Sequence, residues 1–136
     1  MQPLDRILPH VDVYIPSHDE AIHQTGEVEP RRILGVFRSC GAPGVLGVKL
    51  GAKGALLSPA ADQYIEIPSV TPPDPVIDTT GAGDCFFAGL LTGLLSDMDI
   101  RRSGRLAAAV GACCVTGLGA SAGLRNFEQT ARLAGL

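Results

Sequence analysis

Asp78-Thr79-Thr80-Gly81-Ala82-Gly83-Asp84 closes a proline-rich stretch and runs directly into the apolar segment Cys85 to Leu95. The glycines at 81 and 83 leave the main chain bare, so a phosphate can approach it without a side chain in the way. A helix beginning here offers unpaired N–H groups and the positive end of its dipole, which together make an anion site. Asp84 falls in the first helical turn. A carboxylate beside a bound phosphate can take the proton of a hydroxyl that attacks the terminal phosphoryl group. Taken singly, the glycines would serve a strand-to-helix turn and the aspartate would stabilise the helix dipole.

Outward from this run, short β-branched stretches alternate with longer helical ones, which predicts a parallel or mixed sheet with helices packed on it. Upstream, Val11 to Ile15 reads as a strand stopped by Pro16, and Ser17 with Glu20 three residues on has capping-box spacing for a short helix to about Gln24. Ile33, Leu34, Phe37 and Cys40 lie at helical spacing after Pro30, and Gly41 closes that helix. Val45 to Leu50 and Ala55 to Leu57 read as strands on either side of the turn-like Gly51-Ala52-Lys53-Gly54, and Gln63 to Ile67 as a third strand. Pro68 to Pro75 has four prolines and no periodicity, so it is expected to be an ordered connection into the glycine loop. Downstream, Ala82 to Leu95 and Ile100 to Val115 are predicted helices, the second rich in small residues that allow close packing. Asn126 should cap a last short helix ending at Leu133.

At 136 residues the chain can bury one sizeable core. A net charge of −3 gives no electrostatic case for nucleic acid or an anionic membrane. The apolar runs are broken well short of a spanning length, and Met1 to His10 has no secretory apolar core. Cys40, Cys85, Cys113 and Cys114 lack C-x-x-C spacing and disulfide-scaffold density, so a reduced, cytoplasmic protein is expected. The adjacent Cys113 and Cys114 point to different helix faces and read as buried small hydrophobes. His10, His18 and His23 do not cluster at zinc spacings. A Walker loop, G-x-x-x-x-G-K-[ST], is absent, and neither Gly81 nor Gly117-Leu118-Gly119 completes G-x-G-x-x-G, which disfavours a Walker ATPase or a dinucleotide-dependent oxidoreductase.

Followed by Phe86, Phe87, Ala88 and Gly89, the run Asp78 to Asp84 resembles the C-terminal signature of the PfkB/ribokinase family of carbohydrate kinases. Weaker similarity covers Val11-Asp12-Val13, Pro16 to Ala21, Val48 to Ala55, Gly111 to Thr116 and Gly119-Ala120, in the family's order. Only the C-terminal half of the family pattern is present, without a Gly-Gly-rich N-terminal sugar-binding signature or the strands of the lid. The resemblance implies an α/β fold, the C-terminal portion of a ribokinase-like three-layer α/β/α (Rossmann-like) sheet. Residues 1–136 would then be the nucleotide-binding and catalytic part of the kinase domain.

The resemblance also implies roles. ATP, with Mg2+, would phosphorylate a hydroxyl of a sugar or nucleoside-like alcohol, with Asp84 as general base and the N–H groups of Gly81, Ala82 and Gly83 as the anion hole. Asp78 and Thr80, with carbonyls of the segment Cys114 to Gly119, would bind a monovalent cation, usually K+; their ordinary alternative is capping the turn. Glu20 matches the glutamate of the family's Asn-x-x-Glu, which orders the water shell of Mg2+, although Ser17 stands in for the asparagine and capping alone would explain both. Lys49, Gly51, Gly54, Thr79 and Gly111 would flank the nucleotide. Lys49 would act as a point charge on the phosphates or simply stand solvated at a strand edge. The expected partner is a small-molecule sugar or nucleoside, with no nucleic acid and no membrane, and a homodimer is a candidate assembly. Without the acceptor half, a second hypothesis is a nucleotide-binding module that does not turn over.

Overall fold

The computed structural model describes residues 3–136. Two compact units divide the chain, Met1–Glu66 and Ile67–Leu136.

In the first unit, helix α1 (Leu4–Ile7) and a 3-10 turn (Leu8–His10) precede a two-residue strand β1 (Val13–Tyr14). Helix α2 (His18–Thr25) starts on Ser17, whose hydroxyl accepts from the Glu20 N–H while the Glu20 carboxylate accepts from the Ser17 N–H, the full capping box. Helix α3 (Pro30–Ser39) has Pro30 in its first turn and Glu29 as cap, accepting from the N–H groups of Arg31 and Arg32. Its buried side chains are Ile33, Leu34 and Phe37, the expected apolar stripe. Strand β2 (Val45–Lys49) is parallel to β1 and antiparallel to β3 (Ala55–Ser58), and β4 (Ile65–Ile67) completes the order β1-β2-β3-β4. The sheet is thus mixed. Leu46, Gly47 and Val48 of β2 are buried in succession, as in a strand covered on both faces.

Gly44 is where this unit closes most tightly. A Cβ there would stand 1.9 Å from the Asp12 carbonyl oxygen, so only glycine lets β2 begin beside the approach to β1. Nearby, the Arg38 guanidinium donates to the carbonyls of Ala42, Gly44 and Ser58, tying the end of α3 to the ends of β2 and β3.

In the second unit, residues 68–81 carry no helix or strand, and helix α4 (Ala82–Leu95) follows the glycine loop. Helix α5 (Ile100–Cys114) starts on Asp99, which accepts from the Arg102 N–H, and helix α6 (Phe127–Leu133) starts on Asn126, which accepts from the Gln129 N–H. Glycines let α4 and α5 approach closely. A Cβ on Gly89 would lie 2.8 Å from Ala107 Cα, and one on Gly93 would lie 2.7 Å from Ser103 Cα. Each glycine meets a small residue, and each pair repeats at a spacing of four, one helical turn.

Candidate active site

In the second unit, Gly81 is the N-cap residue of α4, with φ 78°, a left-handed conformation that favours glycine. No side chain caps this helix start; the Ala82 N–H donates to the Thr79 carbonyl, so the anion site this start offers rests first on the N–H groups of Gly81 and Gly83. Space also demands glycine at position 81, because a Cβ there would sit 2.8 Å from the Ala120 Cβ and 2.9 Å from its Cα. Asp84 is exposed in the first turn of α4. Thr79 is exposed, and its carbonyl accepts from the Ala82 N–H. Gly111 stands on α5 against this same turn, where an added Cβ would be 3.5 Å from the Ala82 carbonyl oxygen.

Asp78, Thr80 and Gly119 come together. One carboxylate oxygen of Asp78 accepts from the Thr80 N–H and the other from the Gly119 N–H, both at 2.9 Å. Hydrogen bonds from the Thr80 side chain, then from the Thr80 and Gly119 N–H groups, hold the Asp78 carboxyl below the usual carboxylate range. The N–H groups of Ile77 and Asp78 both reach the Val115 carbonyl.

Behind the loop are two thiols to which sequence reasoning gave no part in the site. Cys85 and Cys114 both donate to the Ala120 carbonyl, at 3.3 and 3.2 Å, and Cys114 also reaches the Thr80 carbonyl at 3.5 Å. Burial, reinforced by Cys114, pushes the Cys85 thiol up to about 12, so it stays a protonated donor. No local spacing announces this contact, because Ala120 and Gly81 are far apart in the chain.

In the first unit, Glu20, Ser17 and Lys49 gather at one end of β1 and β2. Ser17 forms a parallel bridge with Lys49, and the Lys49 N–H donates to the Pro16 carbonyl at 2.9 Å. The Glu20 carboxyl is held low chiefly by the Ser17 N–H, next by the Ser17 hydroxyl, and least by the charge of Lys49. Lys49 is half-buried and Glu20 exposed. Gly51, at φ 59° with open space around it, and Gly54, at φ 90°, form the turn after β2, where the Leu50 N–H donates to the Gly54 carbonyl. Among the described residues, no group of three or more His, Cys, Asp or Glu side chains could hold a metal ion, and no helix is long and apolar enough to cross a membrane.

The profile of the pfkB family carbohydrate kinases matches residues 1–126. The ATP-dependent 6-phosphofructokinase of Thermoanaerobacterium thermosaccharolyticum is 34% identical over 122 residues, which are 90% of this chain and 37% of that protein. Arabidopsis thaliana ribokinase, complexed with ribose and ATP, matches with a TM-score of 0.87 at 26% identity, over 97% of this chain and 43% of its own. A candidate ribokinase II of E. coli, in complex with ATP and Mg2+, matches with a TM-score of 0.82 at 28% identity, over 96% of this chain and 41% of its own. The architecture is therefore the ribokinase-like α/β fold expected from the sequence, and the chain spans less than half the length of each of these relatives.

Proposed function

The chain belongs to the pfkB family of carbohydrate kinases, and we propose that it is the ATP-binding, phosphoryl-transferring portion of a kinase acting on a hydroxyl of a sugar or nucleoside-like alcohol. The observation that carries this reading is the uncapped start of α4 behind Gly81, with the exposed Asp84 in its first turn. The N–H groups of Gly81 and Gly83, with that of Ala82 once it leaves the Thr79 carbonyl, would receive the charge that grows on the transferring phosphoryl group. A single donor of this kind is commonly worth about 10²–10³ in rate. Asp84 would take the acceptor proton as the hydroxyl oxygen attacks the γ-phosphorus and the β–γ bridging oxygen leaves with ADP.

In the first unit, the exposed Glu20 carboxylate beside Lys49 suits the water shell of a magnesium ion brought in on ATP, since hydrated Mg2+ is held by one or two carboxylates and the phosphates themselves. Bound there, the ion would neutralise phosphate charge. Glu20 would hold its waters, Lys49 would meet the phosphates, and Gly51 and Gly54 would leave room for the nucleotide; Thr79 and Gly111 are the nucleotide-flanking candidates of the second unit. Asp78, Thr80 and Gly119 are the residues on which a potassium site would be built, using main-chain carbonyls and the remaining lone pairs of the carboxylate.

Asp84→Asn in a complete protein containing this segment tests the assignment. It removes the base and keeps the loop, so kcat should fall by about 10²–10⁴ while ATP affinity stays nearly unchanged. A near-normal kcat in this variant would sink the role given to Asp84.

A further inference from the structure

We propose that Asp78 is a positioning residue, latching the glycine loop onto the α5–α6 connection so that Gly119-Ala120 sets where the N–H groups of residues 81–83 point. This rests on the kinase reading for its consequence in catalysis, but its geometry stands alone. Both oxygens of Asp78 are engaged, one by Thr80 within the loop and the other by Gly119 in a segment 41 residues away. Further contacts join the same two segments. The Val115 carbonyl accepts from Ile77 and Asp78, the Thr80 carbonyl accepts from the Cys114 thiol, and the bare face of Gly81 rests on Ala120. Arg125 pairs with Asp74 at the outer end of this lacing.

The receiving segment is itself fixed. An added Cβ would come within 2.3 Å of Gly123 N at Gly117, and within 2.2 Å of the Cys113 carbonyl oxygen at Gly123, so two bare backbones close the connection on itself at the end of α5. Residues 117–123 thus form a compact backstop, and Asp78 is the side chain that fastens the loop to it. Donors aimed at a developing charge lose effect with small displacements, so the latch acts on kcat through the anion hole without touching substrate.

The test compares a complete protein containing this segment with its Asp78→Asn variant, which leaves one acceptor oxygen and sets an NH₂ group against an N–H donor. Peptides covering 79–83 and 117–120 should exchange amide hydrogen at least about ten-fold faster. The kcat should fall by about 10²-fold with the KM for ATP within about three-fold, and added potassium should not restore it. Unchanged exchange at 117–120, or recovery of kcat in excess potassium, would overturn the latch in favour of a plain cation ligand. If Asp78→Asn does not fold, Asp78→Glu keeps the charge and moves both oxygens, so faster exchange with lower kcat supports the latch, and wild-type exchange or kcat refutes it. An active Asp84→Asn enzyme would remove the base role given to Asp84 while leaving the exchange result to decide the latch.

Discussion

Gly81 and Gly119 both have left-handed backbones, yet only Gly81 is also crowded. Alanine at either position costs about 1–2 kcal/mol from the backbone, but at Gly81 the overlap with Ala120 adds about 1–3 kcal/mol. Chemical denaturation should therefore show Gly81→Ala to be the more destabilised variant, and its kcat should drop further because the anion hole moves. Equal losses for the two would mean that Ala120 yields freely. The sequence made Gly81 legible as a turn glycine, since the motif is contiguous and its conformational need is local. It could not show that Ala120, Cys85 and Cys114 stand behind the loop, because that contact is made by chain folding and leaves no periodic mark.

The same contrast separates helices. Gly35 lies exposed in α3 with nothing within 4 Å of an added Cβ, whereas Gly93 in α4 meets Ser103 at 2.7 Å. Gly35→Ala should stabilise by about 0.5–1 kcal/mol through helix propensity, and Gly93→Ala should destabilise by about 1–3 kcal/mol through overpacking. Urea midpoints of the two variants should move in opposite directions. At the start of α3, the Glu29 carboxyl is lowered first by the Arg31 N–H, so its folded pKa lies under the unfolded one. The cap's contribution is complete above the unfolded pKa and is lost as pH falls through the folded pKa. Glu29→Ala should be less stable than the parent at neutral pH, with the gap closing in acid; a gap that persists at the lowest pH would remove the carboxylate from the explanation. Helices α3, α4 and α5 were readable because several apolar or small positions repeat in each. Helix α1 and the 3-10 turn after it were not anticipated, being too short to show a period, and the expected strand at 11–15 shrinks to Val13–Tyr14. The short turn at 51–54 already calls for antiparallel pairing of β2 with β3, whereas alternation within a strand says nothing of a distant partner, which is why the parallel pairing of β1 with β2 had to come from the structure.

For the whole chain, length governs activity. It spans 37% of the 6-phosphofructokinase it resembles, and catalysis by proximity requires an acceptor hydroxyl held close to the phosphoryl group, an arrangement worth effective molarities of about 10⁵ M or more. The isolated 136-residue chain should therefore bind ATP without transferring phosphate. Assayed with Mg-ATP against a panel of sugars and nucleosides, with Asp84→Asn as blank, it should show no Asp84-dependent turnover; robust turnover would mean that these residues suffice to hold the acceptor. The thiols that brace the loop from behind have a different use. Of the four free cysteines, Cys85, Cys113 and Cys114 are buried and only Cys40 is partly open. A maleimide pulse followed by mass spectrometry therefore reads out foldedness without any introduced probe: one adduct marks the native chain, four mark the unfolded chain, and intermediate counts locate fraying in the second unit.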